Sequence, residues 1–306
     1  MHAWEAIQKA VDFIEENLQE EISTETLAEI VSLSPFYFQR LFKRLVNKSV
    51  QEYIKLRRLS KAIETFNTNE NRIIDVALDY GFSSHANFTR AFKETYGITP
   101  EEYKKSRPMM NTVTKPEISM NYILIDEGVP LIVGDIVLEI QRKNVTTSEK
   151  YIGFTADVNI AEQTPVGEST GIDVPGQLWV KFHKEKMALS NFIDFDIELG
   201  MSYMAEPEKG IFQYFAGAYL QNELHDTSNF IIQELPKGEY IICKIEAESF
   251  ELLVKEALDK AGKYLFGTWL PKHQLTTEPF SAEKYYTNCD NGYCMEIWVK
   301  PIQENR

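Results

Sequence analysis

Ile74-Asp75-Val76-Ala77-Leu78-Asp79-Tyr80-Gly81-Phe82-Ser83-Ser84 runs into Phe88-Thr89-Arg90-Ala91-Phe92-Lys93 and then Gly97-Ile98-Thr99-Pro100 and Tyr103. This stretch predicts a short apolar helix, a tight turn at Gly81-Phe82 and a longer helix behind a serine, which is the layout of a helix-turn-helix. Fifty residues earlier the pattern is already present. Ser34, Phe38, Arg40, Phe42, Lys43 and Tyr53 are matched by Ser84, Phe88, Arg90, Phe92, Lys93 and Tyr103. With one residue inserted upstream, Leu27-Ala28 matches Val76-Ala77 and Leu33 matches Phe82. An internal repeat redefines the structural unit, so the first hundred residues read as two helix-turn-helix units.

The surrounding sequence agrees. Trp4, Ile7, Val11, Ile14 and Leu18 recur at spacings of three and four, giving an amphipathic helix before the first unit. Ser23 or Thr24 can cap the short helix bearing Leu27, Ala28 and Val31, and Ser34-Pro35 opens helix 35–46. Residues 50–66 are helical in period and join the units as a rod of roughly 25 Å. Such a rod can hold two helices about one DNA turn apart, ~34 Å. A plain helical bundle would explain the apolar positions but not the matched outward cations Arg40/Arg90 and Lys43/Lys93.

The net charge of −14 over 306 residues argues against a nucleic-acid partner until the chain is divided. Residues 1–108 carry 15 Lys/Arg against 16 Asp/Glu, whereas residues 109–306 carry 17 against 30. Within the first segment, residues 36–61 hold eight Lys/Arg and only Glu52 of opposite sign. Phosphate attraction needs one such face, not a basic protein overall. A double-stranded DNA partner is therefore expected.

The stretch quoted first resembles the signature of the AraC/XylS family of regulators, and the match extends over about residues 4–107. The resemblance implies an all-α double helix-turn-helix domain in residues 1–108. It also implies base contacts from Phe36, Gln39 and Arg40 in the first recognition helix and from His85, Asn87 and Arg90 in the second. The chemistry fits: Arg pairs bidentately with guanine, Asn and Gln with adenine, and an aromatic ring packs on a thymine methyl. Lys43, Lys48, Arg57, Arg58 and Lys93 are expected on phosphates, which add affinity and salt dependence without sequence choice. Arg57 and Arg58 read equally well as braces of the joining helix. RNA polymerase is an expected partner, activation the expected outcome, and binding as a monomer is favoured because one chain carries two recognition helices.

A linker is expected at 109–117, where prolines and the lack of apolar period break the pattern. Beyond it, strand-like runs at 122–125, 131–133, 151–154, 212–219, 230–235, 239–245 and 294–299 alternate with helical stretches at 177–188 and 250–266. The pattern suits an α+β domain of two similar halves over residues 118–306. Leu235-Pro236-Lys237-Gly238-Glu239-Tyr240, Trp269-Leu270-Pro271, Glu283-Lys284-Tyr285 and Ile297-Trp298-Val299-Lys300-Pro301 resemble the GyrI-like effector-binding domain. That resemblance implies a small-molecule effector, cationic or lipophilic, held between the halves. Glu283 stands at the acidic position, Trp269 and Trp298 are candidate walls, and Trp179, Tyr219 and Tyr285 are further ones. A carboxylate buried there needs water or a tyrosine hydroxyl beside it when no cation is bound.

Other functions find little support. There is no G-x-S-x-G elbow, no glycine-rich phosphate loop and no helical histidine pair, so neither an enzyme nor a metal or cofactor is expected. A hydrolase, or a constitutive DNA binder whose second domain docks a protein, remains the alternative. No apolar run approaches the ~18 residues of a membrane span. Cys289 and Cys294 could meet across a hairpin, but an odd count of three cysteines reads better as reduced thiols in a cytoplasmic protein.

Overall fold

The computed structural model describes residues 2–68, 71–163, 167–222, 230–289 and 292–302. It divides into two compact units, one of Met1–Ile123 with Gly167–Ile172, the other of Leu124–Val166 with Asp173–Arg306.

The first unit is built from α1 (Ala3–Glu16), α2 (Thr24–Ile30), α3 (Pro35–Val46), α4 (Val50–Thr68), α5 (Ile73–Asp79), α6 (His85–Tyr96) and α7 (Pro100–Ser106). The caps explain the boundaries. The Ser34 and Ser84 hydroxyls accept the amides of Tyr37 and Asn87, satisfying donors that the first turns of α3 and α6 leave open. Both helices end on a left-handed residue, Asn47 after α3 and Gly97 after α6. Each helix-turn-helix has its own core. Phe38 and Phe42 pack with Ile7, Val11, Leu27 and Ala28 in the first, and Phe88 and Phe92 with Val76, Ala77 and Tyr103 in the second. α4 belongs to both, giving Val50, Tyr53 and Ile54 to one core and Leu59, Ala62, Ile63 and Phe66 to the other.

Arg57 lies where α4 changes cores, and here a site expectation fails. Its guanidinium donates to both carboxylate oxygens of Glu15, each at 2.8 Å, and to the Val113 carbonyl. Tyr53 donates to the same carboxylate at 2.6 Å. Arg57 is buried, so its charge serves the bundle and is not offered to a phosphate. Arg58 is likewise committed: it donates to the carbonyls of Leu18 at 2.8 Å and Glu20 at 2.6 Å. A Cβ on Gly81 would stand 2.8 Å from the Arg58 guanidinium, so the left-handed glycine of the second turn also leaves room for this brace.

The linker expectation at 109–117 also gives way. β1 (Met110–Asn111) pairs antiparallel with β5 (Gly171–Ile172). Val113 is buried and its carbonyl also accepts the Ser60 hydroxyl. Lys115 pairs with Asp12 at 2.6 Å, and the Ile118 amide donates to Gln8. These bonds draw the segment, with the helical turn Ile118–Asn121, into the first unit, whose boundary falls at Ile123.

The second unit carries one nine-stranded antiparallel sheet formed by β2 (Leu131–Val133), β3 (Ile136–Val145), β4 (Glu149–Asn159), β6 (Ile193–Glu206), β7 (Ile211–Leu220), β8 (Ile231–Leu235), β9 (Gly238–Ala247), β10 (Thr277–Cys289) and β11 (Gly292–Pro301). A short α8 (Ile160–Gln163) follows β4, and α9 (Val174–Glu185) precedes β6. Residues 250–272 form a helix in which α10 (Phe250–Leu252), α11 (Leu258–Tyr264) and α12 (Leu270–Lys272) are joined by two wider π-turn stretches. The strand order β2-β3-β9-β11-β10-β6-β7-β4-β8 shows the repeat. In each half, a strand, a helix and two strands are laid down first-third-second, and the two second strands, β10 and β6, meet at the centre. The strand preceding each half crosses over, β3 beside β9 and β8 beside β4. The α+β class with two similar halves is thus the observed architecture.

Two local expectations are corrected. Residues 122–125 are not a strand, because the Ile125 amide donates to the Tyr264 hydroxyl and its carbonyl accepts the Trp269 indole, satisfying that backbone with side chains. Cys289 and Cys294 are joined as a disulfide, with Cα atoms 6.2 Å apart on the two arms of the β10–β11 hairpin, leaving Cys243 as the buried free thiol.

The Glu15–Arg57 pair yields a test. Burial pushes the Glu15 carboxyl up, but Arg57 and the Tyr53 hydroxyl overcome this and hold it below its ordinary value. Glu15→Gln strands a buried guanidinium and should cost the first unit about 3 kcal/mol in urea denaturation at neutral pH. A group with a depressed folded value stabilises above its unfolded value and loses that contribution as pH falls through the folded one. The gap between wild type and variant should therefore narrow in acid.

Candidate functional site

The recognition helices expose the side chains that the repeat singled out. Phe36, Gln39, Arg40 and Lys43 are exposed on α3, with Phe36 69% accessible. On α6, His85, Arg90 and Lys93 are exposed and Asn87 is half-buried. Asn87 is oriented from both sides: it donates to Ser83 at 3.1 Å and accepts from Arg90 at 3.3 Å. His85 Nε2 stands 3.0 Å from a carboxylate oxygen of Glu101, at the exposed start of α6. Lys48, just beyond α3, is tied at 2.7 Å to Glu168, a residue of the 167–172 segment. Gln39, Arg40, Lys43 and Lys93 have no such tie among the described residues.

In the second unit, the register fixes which expected wall residues can reach Glu283. On β10, Glu283 pairs with Gly200 of β6 on one side and Ile297 of β11 on the other. Those residues share the sheet face with Tyr285, Glu198 and Tyr214. α9 packs on this face, Leu178 and Phe182 lying against Ile152, Phe154 and Ala216. Trp298 pairs with Ala282, one residue out of phase, and so lies on the opposite face. There its indole donates to Glu296 at 2.8 Å while the ring receives Lys284 and Lys143. Tyr219 packs edge-on against Tyr151 on that same opposite face. Trp269 is fully buried, bonded to the Ile125 carbonyl and stacked on His273. Trp298 and Trp269 are core residues and Tyr219 is half-buried on the opposite face, so the structure does not bring Trp298 or Tyr219 to the Glu283 face, and the Trp269 indole is committed to Ile125.

What surrounds Glu283 is a different set. Its Oε2 accepts the hydroxyls of Tyr214 and Tyr285, each at 3.0 Å. The Trp179 indole donates to Tyr214 at 3.0 Å, and its ring meets Tyr285 edge-on at 5.4 Å. The two hydroxyls stand in for water on one oxygen of this half-buried carboxylate. The other oxygen, Oε1, has no donor among the described residues, and Glu283 has no ion-pair partner among them. Its neighbour Glu198 differs, being neutralised by Lys186 and His183, each at 2.8 Å. Burial pushes the Glu283 carboxyl above its ordinary value, only partly offset by the two tyrosines, and the charge of Asp173 pushes it further.

Tyr214, Gly200, Asp173 and Asp259 were not picked out from the sequence. A Cβ on Gly200 would lie 2.2 Å from the Tyr214 hydroxyl and 3.0 Å from Glu283 Oε2, so this glycine makes room for the bond between them. Asp173 caps α9, accepting the Gly176 amide at 2.9 Å. Asp259 sits on α11 and is pushed up to about 7 by burial, then by the charges of Asp173, Glu283 and Glu256 against the relief of Lys263. Only the contact register and the helix placement bring these residues together; no local motif marks them. Among the described residues, no cluster of His, Cys, Asp and Glu could hold a metal, and no helix is long and apolar enough to cross a membrane.

Comparison with known proteins agrees with both halves of this description. Residues 27–106 match a helix-turn-helix domain, and residues 146–300, half of the chain, match the GyrI-like small molecule binding domain. The regulatory protein SoxS of Salmonella typhimurium is 32% identical over 98 residues, 32% of this chain and 92% of SoxS. The chain belongs to the AraC-type DNA-binding transcription regulators. Its second unit is a GyrI-like small-molecule-binding domain. The HTH-type transcriptional regulator YbfP of Bacillus subtilis is 42% identical over 104 residues, 34% of this chain. The present chain spans about a third of YbfP, 35% of its length. The crystal structure of an AraC-type regulator from Chromobacterium violaceum aligns at 29% identity with a TM-score of 0.33, covering 34% of this chain and 92% of that one.

The acidic cluster of this AraC-type chain has a pH signature. Asp259 keeps its proton up to about pH 7 when folded, while its ordinary value is 3.8. The folded chain binds the extra proton, so stability of the second unit falls as pH rises through that window. Asp259→Asn should flatten this decline in thermal melts taken from pH 4 to pH 8, and should raise the melting temperature most at the alkaline end.

Proposed function

We propose that this protein is a ligand-responsive activator that reads an asymmetric DNA site as a monomer and senses an organic cation at Glu283. Phe36, Gln39 and Arg40 of α3, and His85, Asn87 and Arg90 of α6, read base edges. Lys43, Lys48 and Lys93 hold phosphates. Arg57 and Arg58 drop out of that set because their guanidinium groups are spent inside the bundle. RNA polymerase is the partner through which the bound protein acts.

One observation carries the ligand reading. A carboxylate receives two tyrosine hydroxyls on one oxygen, leaves the other oxygen open, and has no cation of its own beneath the Trp179 and Tyr285 rings. Desolvated negative charge beside aromatic faces attracts a lipophilic cation more strongly than any neutral molecule of equal shape. The net −13 of residues 109–306 steers cations to the same domain.

The ligand reading is tested by calorimetry with benzyltrimethylammonium and its neutral isostere neopentylbenzene. Glu283→Gln should weaken the cation by more than tenfold, about 1.4 kcal/mol or more, and leave the neutral compound unchanged. Trp179→Ala should weaken both. Equal affinity of wild type and Glu283→Gln for the cation would refute the role of Glu283. On the DNA side, Arg40→Ala should cost ~1–3 kcal/mol on the preferred site and relax choice at one position. Lys43→Ala should weaken all sequences alike and reduce the salt slope by about one.

A further inference from the structure

Residues Gly167–Ile172 are laid down within the sequence of the second unit but belong structurally to the first. They form a strap. The Gly167 carbonyl accepts both the amide and the hydroxyl of Thr114, at 3.0 and 3.2 Å. Gly171 and Ile172 pair with Asn111 and Met110 in a ladder only two residues long, and β5 lies against α6. Between these anchors, Glu168 takes the ammonium of Lys48 at 2.7 Å, with 14% of the lysine side chain and 27% of the glutamate accessible. Lys48 follows directly on the first recognition helix. The residue after Ile172 is Asp173, which caps α9, the helix that carries Trp179 to the hydroxyl of Tyr214.

We infer that the strap is an autoinhibitory brake, in which Glu168 occupies the cation at Lys48 that a DNA phosphate would otherwise take, and that a ligand at the Glu283 cleft releases it. The inference rests on the proposed interface and cleft, and adds a coupling between them. A carboxylate at this point acts twice: it neutralises one phosphate-binding charge, and it places a negative charge where a phosphate must approach. The release follows from covalent order. A cation at Glu283 attracts Asp173 as well, and an Asp173 carboxylate drawn towards it abandons the α9 cap. The chain one residue upstream is held by a two-residue ladder, the shortest strand pairing among the described residues, and so short a ladder opens at low cost. Coupling of this kind is reciprocal, so DNA must also strengthen binding of the ligand.

The test uses the full chain, a preferred duplex and a random duplex, with benzyltrimethylammonium as the probe. Without probe, Glu168→Gln should tighten binding to both duplexes by roughly two- to fivefold and steepen the salt slope by about one. The probe should tighten wild type by a similar factor, scarcely affect Glu168→Gln, and speed hydrogen exchange at the Thr114 amide. Unchanged DNA affinity in Glu168→Gln, with Lys48→Ala still weakening both duplexes, would overturn the brake and leave the DNA interface standing. No effect of Lys48→Ala would remove Lys48 from the interface and the brake with it. A probe that binds wild type by calorimetry but alters neither DNA affinity nor Thr114 exchange would overturn the link to the cleft while sparing the cleft itself.

Discussion

The second unit is organised around a carboxylate placed where its two halves meet. Removing a carboxylate from water is costly unless donors or a cation replace the solvent. At Glu283 the offset is incomplete, since two tyrosine hydroxyls satisfy one oxygen and no cation pairs with the group among the described residues. Other carboxylates of the same sheet are treated differently. Glu198 has Lys186 and His183, and Glu149, on the opposite face, has buried Lys284 and the Tyr151 hydroxyl. Glu198 and Glu149 of the same sheet are thus each set against a lysine, whereas Glu283 has no ion-pair partner among the described residues. Gly200 belongs to the same arrangement, because any side chain there would displace Tyr214 from Glu283.

The first unit solves a different problem with similar means. One long helix must serve two cores that repeat every fifty residues, and the change of face along α4 leaves a position that is neither in one core nor in the other. Arg57 fills it, and its charge is cancelled by Glu15 while its remaining donor takes the Val113 carbonyl. Arg58 then ties the end of α1 to the glycine turn of the second helix-turn-helix. The two arginines brace α4 against α1 and the segment that follows it, so their side chains are engaged within the bundle. This also explains why the local excess of cations overstated the phosphate-binding face: two of the eight charges are structural.

The sequence was most legible where function is local. Helix caps, the fifty-residue repeat and the apolar period placed α1 to α6 of the first unit, because each signal acts over one or two turns, whereas the seven-residue α7 was not singled out. The sheet was less legible. β6 and β10 interleave acids with aromatics and, in β10, contain Pro279, so their period-two pattern is obscured by residues chosen for the cleft. The cleft itself was half legible. Glu283, Trp179 and Tyr285 were named in the sequence and lie together in the structure, but Trp298 and Tyr219 are apparent only as aromatics until strand phase is known, and one residue of register moves a side chain to the other face. Tyr214, Asp173 and Asp259 reach Glu283 from a strand, a helix cap and a second helix, far apart in sequence and joined only by topology.

The distribution of charge carries the same lesson into regulation. A net of −13 in the second half would repel DNA if it acted as a uniform field, but such fields are screened within about a Debye length, ~10 Å at 0.1 M salt. What matters is which single carboxylates come close to the cations of the DNA-facing unit. The strap delivers one, Glu168, to Lys48, and the next acidic residue along the chain, Asp173, caps α9 and adds its charge to that felt by Glu283. Two carboxylates five residues apart therefore answer to opposite partners, one to a lysine beside the recognition helix and one to the ligand cleft. In the coupling proposed above, a change in the charge balance at one carboxylate is carried to the other through the single short strand between them, and local opening of that strand is enough for the response, with neither hydrophobic core rearranged.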